Sequence, residues 1–464
     1  MEKNLVKARI RKYDEAKKKQ LIELGQSKKS WSQILAFLEG EIQQSTQMTN
    51  VSYKILCFMN DGVYQLNKAI EEIYGVSQSK EKSSPSNESE GISTVDVQLA
   101  DGTRLKVPYG KIEMPEAGSG AYIDIRYSHD ENVLFIKGKC EFRFTSMIDD
   151  IVERTKELLI TNSIYKNQAI ELTDYCQPSI LNLENIDKEF MILSDATEYA
   201  LTPLRSRLLH PDKCVEKGIS LKFGALMSGP YGTGKTLLAF KLAKEAIANG
   251  WVFMYLKKPE LLARTLKLAQ TIDKNGHGVV IFVEDIDQVT RGDRDSAMQD
   301  ILNTLDGGDT KQMNVISLFT TNHIELIEPT FLRGKRIGSI ISLDFLDAKT
   351  AKKFVEFTFD KDGYELDKEG LDEVYALIEK SEIAPAFMAE ITESVKSNMI
   401  LTDENVVKAV YIRSSVESYL AQVKLSRKKD MSETPELKLS RALKDVIVGD
   451  LSETIQSIKE YIED

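Results

Sequence analysis

The stretch Gly229-Pro-Tyr-Gly-Thr-Gly-Lys-Thr236 decides most of what the sequence predicts about the fold. It satisfies every required position of the phosphate-loop pattern G-x-x-x-x-G-K-[ST]. Phe223–Ser228 before it is typical of a short buried strand, and Leu237–Ala248 after it has the apolar spacing of a helix. In this setting, consecutive backbone N–H groups and a helix N-terminus face one concavity, which suits the phosphates of a nucleotide. The loop therefore predicts an α/β fold with a phosphate site.

The residues predicted to bind ATP belong to this loop and to the first position after it. Lys235 is predicted to contact the phosphates, and the Thr236 hydroxyl to bind Mg²⁺. The predicted nucleotide-binding set is Gly229, Pro230, Tyr231, Gly232, Thr233, Gly234, Lys235, Thr236 and Leu237.

A second strand is predicted at Val279–Val283, and two carboxylates, Glu284 and Asp285, follow it. Five successive β-branched or aromatic residues indicate a fully buried strand. Ligands of α/β sheets bind at the carboxyl ends of such strands. One carboxylate is therefore predicted to hold Mg²⁺, directly or through water, while its neighbour polarises the attacking water.

A third predicted strand, Val315–Phe319, ends in Thr-Thr-Asn322, and two arginines three residues apart follow Pro-x-x-Leu. With these features, residues 180 to 425 resemble the AAA ATPases, the original clade of the wider AAA+ group. The matching positions are the phosphate loop, Glu284-Asp285 with the trailing Ile-Asp287, Leu305-Asp306-Gly307, Asn322, and the pair Arg333 and Arg336.

The resemblance implies roles for four of these residues. Asn322 would be the sensor that positions the lytic water, and Asp306 would lie in the intersubunit-signalling motif. Arg333 and Arg336 would be arginine fingers that act on the γ-phosphate bound by the neighbouring subunit. The resemblance thus implies a homo-oligomer, a hexameric ring, whose isolated protomer is a poor ATPase.

Several positions depart from the family pattern. The usual acidic order is Asp-Glu, so a gapless match makes Glu284 the metal-side carboxylate and Asp285 the base. This reversed order is similar to that of some phage-encoded and bacterial chaperone-like members. The arginine segment lacks the usual Pro after Arg333. Finally, Ser381–Ala389 resembles loosely the Gly-Ala motif that contacts the nucleotide base, which places Ala384 in the predicted nucleotide site.

The segment after the strand Trp251–Leu256 also differs from that of peptide-threading relatives, which carry an aromatic-hydrophobic-Gly pore loop there. Pro259–Arg264 runs directly into a predicted helix, Thr265–Ile272, and leaves no room for such a loop. Tyr255 is therefore predicted to be a strand residue rather than a pore residue. The sequence does not decide whether a polypeptide is threaded through a central pore.

Composition limits the class of protein. No apolar run approaches the ~20 residues that cross a bilayer, and no signal-peptide core is found, so a cytoplasmic location without membrane contact is expected. The net charge of −11 argues against a whole-surface polyanion binder. Residues 1–30 nevertheless hold ten Lys/Arg against four Asp/Glu, in the spacing of a helix with a basic face. That face could meet nucleic acid or an acidic protein, or simply be solvated.

The predicted fold class is an α/β phosphate-loop core with a helical lid, preceded by a small β domain and a helical module. Within that module, helices are predicted at Trp31–Gln47 and Val51–Tyr74. The predicted domains are a helical module (1–76), a polar linker (77–91), a small β domain with a connecting helix (92–175), the AAA core (176–346), the lid (347–425) and a C-terminal helical extension (426–464).

The sequence thus predicts a ring-forming, Mg²⁺-dependent ATPase that remodels or unfolds protein substrates. Two other functions stay open. The basic N-terminal segment and the missing pore loop favour a nucleic-acid or replication-complex remodeller. The third possibility is a nucleotide-gated assembly scaffold with little turnover.

Overall fold

The structure is a computed structural model that describes residues 19, 31–75, 93–173, 177–272, 277–287, 314–332 and 336–431. Asp306, Arg333, almost all of the basic segment 1–30 and the extension from 432 lie outside these residues. The chain divides into two compact units. The first comprises Met1–Met191, Asp195–Gly229 and Gly234–Leu343, and the second comprises Ile192–Ser194, Pro230–Thr233 and Asp344–Asp464.

An antiparallel sheet of five strands lies in the first unit, in the order β1-β5-β4-β3-β2. Alternate residues of its strands are buried, as in a sheet with one face on the core; Ile123, Ile125, Leu134 and Ile136 are fully buried. Its strands are β1 (Met48–Leu56), β2 (Ser93–Gln98), β3 (Arg104–Glu113), β4 (Tyr122–Ser128) and β5 (Val133–Glu141). The helices that precede it or pack with it are α1 (Trp31–Thr46), α2 (Met59–Tyr74) and α3 (Thr145–Thr161).

The predicted helix Val51–Tyr74 is wrong over its first part. Met48–Leu56 is strand β1, which pairs antiparallel with β5 from Met48↔Glu141 to Leu56↔Val133. The helix begins only at Met59. Sequence assigned to the helical module therefore contributes an edge strand to the sheet of the β domain.

The sequence predicts a hairpin at Asp101-Gly102, because the segments Val95–Leu99 and Arg104–Val107 on either side alternate between polar and apolar residues, and the structure confirms it. Strands β2 and β3 flank it, and the Leu99 N–H donates to the Thr103 carbonyl over 2.8 Å. Gly102 has φ 83°, a left-handed conformation that glycine adopts at no steric cost. The presence of glycine at position 102 therefore favours this turn. The sequence also predicts two separate strands, at Val133–Lys137 and Cys140–Phe144. This is wrong, because the structure has one strand, β5, followed by a 3-10 turn at Phe142–Phe144.

A seven-stranded sheet also lies in the first unit, in the order β12-β8-β11-β10-β9-β6-β7. All neighbours run parallel except β6 and β7. The strands are β6 (Ala169–Leu172), β7 (Pro178–Ile180), β8 (Phe223–Ser228), β9 (Val252–Leu256), β10 (Val279–Val283), β11 (Val315–Thr321) and β12 (Ser339–Ser342). The helices of this part are α4 (Asp195–Leu209), α5 (Pro211–Glu216), α6 (Lys235–Ala248) and α7 (Leu262–Ile272).

The register of this sheet brings three strand ends to one edge. Thr321 of β11 is paired with Ser228 of β8, and Phe319 of β11 with Val283 of β10. The segments that follow β8, β10 and β11 therefore start side by side. The strand–loop–helix setting predicted for the phosphate loop is present, because the loop leaves β8 at Ser228 and α6 begins at Lys235.

The second unit is largely helical. The sequence predicts four helices here, at Ala348–Phe357, Lys368–Lys380, Ala386–Asn398 and Asp403–Ala421. All four are present, with ends that differ from these bounds by up to ten residues, and their role as a lid stays a prediction. They are α8 (Ala348–Lys361), α9 (Leu371–Lys380), α10 (Pro385–Thr402) and α11 (Ala409–Met431), with the short parallel pair β13 (Glu365–Leu366) and β14 (Val406–Val407). Among the described residues, no helix has both the length and the apolar composition needed to span a bilayer.

A buried carboxylate, Asp61, fastens the start of α2 to the chain that follows α3. It accepts hydrogen bonds from the Ser163 hydroxyl at 2.5 Å, the Gln65 amide at 3.1 Å and the Ile164 N–H at 3.2 Å. Burial nevertheless outweighs these donors and raises the pKa of Asp61 to about 6.

Asp61 should give the first unit a pH-dependent stability. Its folded-state pKa exceeds the unfolded value, so the folded state binds more protons between about pH 4 and pH 6. Stability from this group is complete below the unfolded pKa and falls as the pH rises through 6. We expect the unfolding free energy of the wild type, relative to Asp61→Asn, to drop by about 1 kcal/mol from pH 5 to 7. Denaturant unfolding at both pH values measures this difference.

The matched control is Asp130→Asn, which removes an exposed carboxylate near the same sheet. If Asp61→Asn and the wild type show parallel pH dependence, then Asp61 does not titrate in this range.

Candidate nucleotide-binding site

The phosphate loop owes its path to glycines in left-handed conformations. Gly232 has φ 78° and Gly234 has φ 93°. A Cβ atom on Gly234 would also lie 2.9 Å from the Met191 side chain. Side-chain-bearing residues are strained at such φ values, so the spacing of glycines in the sequence reports this local geometry directly.

Lys235, the first residue of α6, has a buried ammonium-bearing side chain. Only 7% of the residue is exposed, and its Nζ donates to the Gly229 carbonyl over 2.7 Å. Burial lowers its pKa, while the nearby carboxylates Asp285, Asp287 and Glu284 raise it, with burial the larger effect. A buried cation is costly unless anionic groups surround it, so this position favours a phosphate ligand.

Thr236 and Glu284 meet between the start of α6 and the end of β10. The Thr236 hydroxyl donates to Glu284 Oε1 at 2.5 Å. Its proton is thereby directed at the carboxylate, and its oxygen lone pairs remain available as ligands. The sequence-predicted metal residues are thus in direct contact.

The second oxygen of Glu284 has a partner that the sequence did not predict. The Tyr255 hydroxyl, from β9, donates a hydrogen bond to Glu284 Oε2. Burial is the largest cause that raises the pKa of Tyr255, and the bond to Glu284 adds to it, so the hydroxyl keeps its proton. Tyr255 is a strand residue, as predicted. The aromatic residue one strand away from an acidic pair was the only available signal for this contact.

Asp285 lies beside Asn322, the residue that directly follows the neighbouring strand β11. Asp285 has φ 47°, so the chain turns sharply after Glu284. Its N–H donates to Thr320 Oγ1 at 3.0 Å, and its Oδ1 accepts from Asn322 Nδ2 at 3.0 Å. A non-glycine residue in the left-handed region is uncommon, and here the turn points the carboxylates of Glu284 and Asp285 at different partners.

Asp287, two residues further on, is buried and accepts from the Thr321 hydroxyl at 2.9 Å. This bond ties the segment after β10 to the end of β11. Thr321 and Asp287 thus have a structural role beside the Asp285–Asn322 pair.

The side-chain oxygen atoms of Thr236 and Glu284 are suitable ligands for Mg²⁺. The described residues contain no group of three or more His, Cys, Asp or Glu placed to hold a metal. Magnesium in nucleotide sites needs no such group, because one or two protein oxygens and the substrate phosphates complete its octahedral shell with water. Thr236 and Glu284 are the residues that would hold it.

In the second unit, loop residues contact the start of α10. The Ala386 N–H donates to the Gly232 carbonyl at 3.1 Å. A Cβ atom on Gly232 would lie 3.5 Å from that of Ala384, which is fully buried just before α10. Ala384 is therefore next to Gly232, one of the loop residues that it was predicted to accompany. In contrast, the Tyr231 side chain is mostly exposed.

The chain at Arg336 runs directly against β8. A Cβ atom on Gly224 would lie only 1.8 Å from the Arg336 carbonyl oxygen. The Gly338 N–H donates to the Gly224 carbonyl at 2.8 Å, and the Arg336 guanidinium donates to the Thr330 carbonyl at 2.6 Å. Arg333, the other predicted finger, lies outside the described residues, as does Asp306.

Gly224→Ala should destabilise this region. The new methyl group would meet backbone, which cannot rotate away, so β8 and the chain at Arg336 must separate. Overpacking of this kind costs about 1 to 3 kcal/mol or more. Thermal unfolding measures the loss, with Gly40→Ala in α1 as the control, because a Cβ atom on Gly40 would have no other atom within 4 Å. Equal unfolding temperatures for wild type and Gly224→Ala would contradict the close approach.

Residues 225–345 match the model of the family described as "ATPase family associated with various cellular activities (AAA)". The matched segment contains the phosphate loop, the Glu284-Asp285 pair, Asn322 and Arg336. Ala384 lies beyond its end. The match supports an AAA-type ATPase domain, with nucleotide binding, in this part of the chain.

Proposed function

We propose that the protein is a Mg²⁺-dependent ATP hydrolase that works as a ring and remodels protein substrates. The observation that carries the hydrolase is the placement of two hydrogen-bonded pairs beside buried Lys235. These pairs are Thr236 with Glu284, and Asn322 with Asp285. The first pair offers oxygen ligands for a metal, and the second offers a base with its orienting amide. Metal binding and water activation are thus divided between two adjacent carboxylates.

The chain's own groups account for the steps of hydrolysis. Backbone N–H groups of the loop and the ammonium of Lys235 bind the phosphate oxygens. Bound Mg²⁺ supplies neutralisation of the charge that develops on the phosphates. Asp285 accepts the proton of the attacking water, and the Asn322 amide holds Asp285 and that water in line. Because Asn322 Nδ2 already donates to Asp285, the base is oriented before substrate arrives.

In the proposed ring, each subunit supplies arginine fingers to the nucleotide of its neighbour. Arg333 and Arg336 would reach the γ-phosphate bound by the next subunit, which makes hydrolysis depend on assembly. Phosphate release by the wild type should therefore require Mg²⁺ and should rise more steeply than linearly with protein concentration. ATP-dependent assembly with negligible phosphate release would favour a scaffold instead.

A nucleic-acid remodeller is the second candidate. The observation that favours it is the direct passage from β9 through a 3-10 turn at Pro259–Leu261 into α7, which leaves no aromatic pore loop. Binding to single-stranded DNA that weakens steeply with salt would support this candidate over protein remodelling. ATP-dependent capture of a discrete protein by an Asp285→Asn variant, absent with Lys235→Ala, would support the first.

A further inference from the structure

Both carboxylate oxygens of Glu284 are held by hydroxyl groups from different elements. Oε1 accepts from Thr236 at the start of α6, and Oε2 accepts from Tyr255 on β9. Thr236 is a required position of the phosphate-loop pattern. Tyr255 belongs to no motif, yet it makes the complementary contact.

The sheet register explains how Tyr255 reaches Glu284. Tyr255 is paired with Phe282 on the adjacent parallel strand β10. Glu284 directly follows β10, and its N–H donates to the Leu256 carbonyl at 3.3 Å, so the chain still lies beside β9 at this residue. The tyrosine ring lies against Phe282, with ring centroids 5.3 Å apart and planes at 17°. Its hydroxyl end is thereby directed at the carboxylate that follows β10.

The ring of Tyr255 is fixed on a second side by α6. Phe240 meets it edge-on, with ring centroids 5.4 Å apart at 90°. Only 5% of Tyr255 is exposed. Since two aromatic contacts hold the ring, its hydroxyl is a rigid donor.

A rigid donor matters at this position because glutamate is flexible. Its carboxylate is separated from the backbone by one more rotatable bond than that of aspartate, so an unheld Glu284 would sample several positions. An ionised carboxylate has about four acceptor sites, and the two hydroxyls use two of them. The remaining sites keep a defined direction for a metal ion or its waters.

We propose that Tyr255 is a positioning residue for Glu284, whose hydroxyl fixes the metal-side carboxylate in the orientation that binds Mg²⁺ together with Thr236. The proposal rests on the proposed function, because it assigns a role within the same nucleotide site. Partners that orient a ligand in this way typically change metal affinity about 10- to 100-fold when they are removed.

Tyr255→Phe tests the proposal, because it keeps both aromatic contacts and removes only the hydroxyl. We expect Mn²⁺ binding, followed by electron paramagnetic resonance with a non-hydrolysable ATP analogue, to weaken by about 10-fold or more. The Mg²⁺ concentration for half-maximal ATPase activity should rise by the same factor, while the KM for ATP at saturating Mg²⁺ stays near that of the wild type. In a Glu284→Ala background, Tyr255→Phe should have no further effect on Mn²⁺ binding.

Tyr411→Phe is the matched control, because Tyr411 also donates to a glutamate, Glu404, at 2.7 Å, on an exposed surface. It should leave Mn²⁺ binding unchanged. Nucleotide binding in EDTA needs no metal and should be equal for the wild type and Tyr255→Phe. A loss there would mean that Tyr255 supports the fold of the site rather than Glu284, and it would overturn the proposal.

The proposal and the proposed function can fail separately. If the wild type shows Mg²⁺-dependent ATPase activity and Tyr255→Phe binds Mn²⁺ equally well, the positioning role is refuted while the ATPase stands. If the wild type neither binds nucleotide nor releases phosphate, the proposed function is refuted and the positioning role falls with it.

Discussion

Lys235→Ala is expected to weaken nucleotide binding severely. The substitution removes the one phosphate-facing cation that the loop sequence predicts, and that cation is buried among carboxylates. Without it, the phosphates would face Glu284, Asp285 and Asp287 with less compensating charge. Removal of one member of a buried charge pair costs about 2 to 5 kcal/mol, which corresponds to a loss in affinity of about 30-fold to several thousand-fold.

Titration of a fluorescent ATP analogue by anisotropy measures this loss. Lys241→Ala is the matched control, since Lys241 lies on the same helix α6 and its Nζ also donates to a backbone carbonyl, that of Ile186, at 3.0 Å. The control should bind nucleotide like the wild type. Equal affinities of Lys235→Ala and Lys241→Ala would show that the phosphates bind elsewhere.

Asp285→Asn is expected to retain nucleotide binding and to lose hydrolysis. The amide has nearly the same shape as the carboxylate but cannot accept the proton of water. General base catalysis contributes about 10²- to 10⁴-fold to a rate, so kcat should fall within that range. Asn322 would also face an amide in place of its carboxylate partner, although the side-chain oxygen can still accept its N–H.

Parallel measurement of kcat and of nucleotide affinity separates the two effects. The control is Asp187→Asn, which changes an exposed carboxylate in the 3-10 turn Glu184–Lys188 and should leave kcat unchanged. If the roles of Glu284 and Asp285 were exchanged, the two substitutions would have different effects. If Glu284→Gln abolished turnover while Asp285→Asn turned over normally, then Glu284 would be the base, and the gapless match of the acidic pair would be wrong.

The parts of the structure that the sequence predicted share a local cause. Strands β8 and β10 are largely apolar runs that end just before Gly229 and Glu284, and their predicted ends agree with the structure. The glycines of the phosphate loop mark positions whose backbone has a positive φ angle, so their places in the sequence predict the path of the loop. Local composition was therefore sufficient for the position of the phosphate loop and of the acidic pair.

The parts that the sequence did not predict depend on distant partners. Strand β1 has its apolar residues at alternate positions, but it merges with an amphipathic helix, and only its pairing with β5 distinguishes the two conformations. The contact of Tyr255 with Glu284 likewise depends on the register between β9 and β10. The sequence pattern predicted the element of each of these residues more readily than its neighbour across the sheet.

The pairing of β1 with β5 has a consequence for the order of folding during synthesis. Strand β1 leaves the ribosome well before Val133–Glu141, yet β5 is the strand to which it is hydrogen-bonded in the antiparallel sheet. Helix α2 can form early from local contacts, whereas β1 must wait for the closure of a long loop. The nascent chain therefore carries the unpaired β1 segment, with Val51, Tyr53 and Ile55 at alternate positions, for the time needed to translate β2, β3 and β4. In that interval the β1 segment is exposed to misassociation and to capture by chaperones.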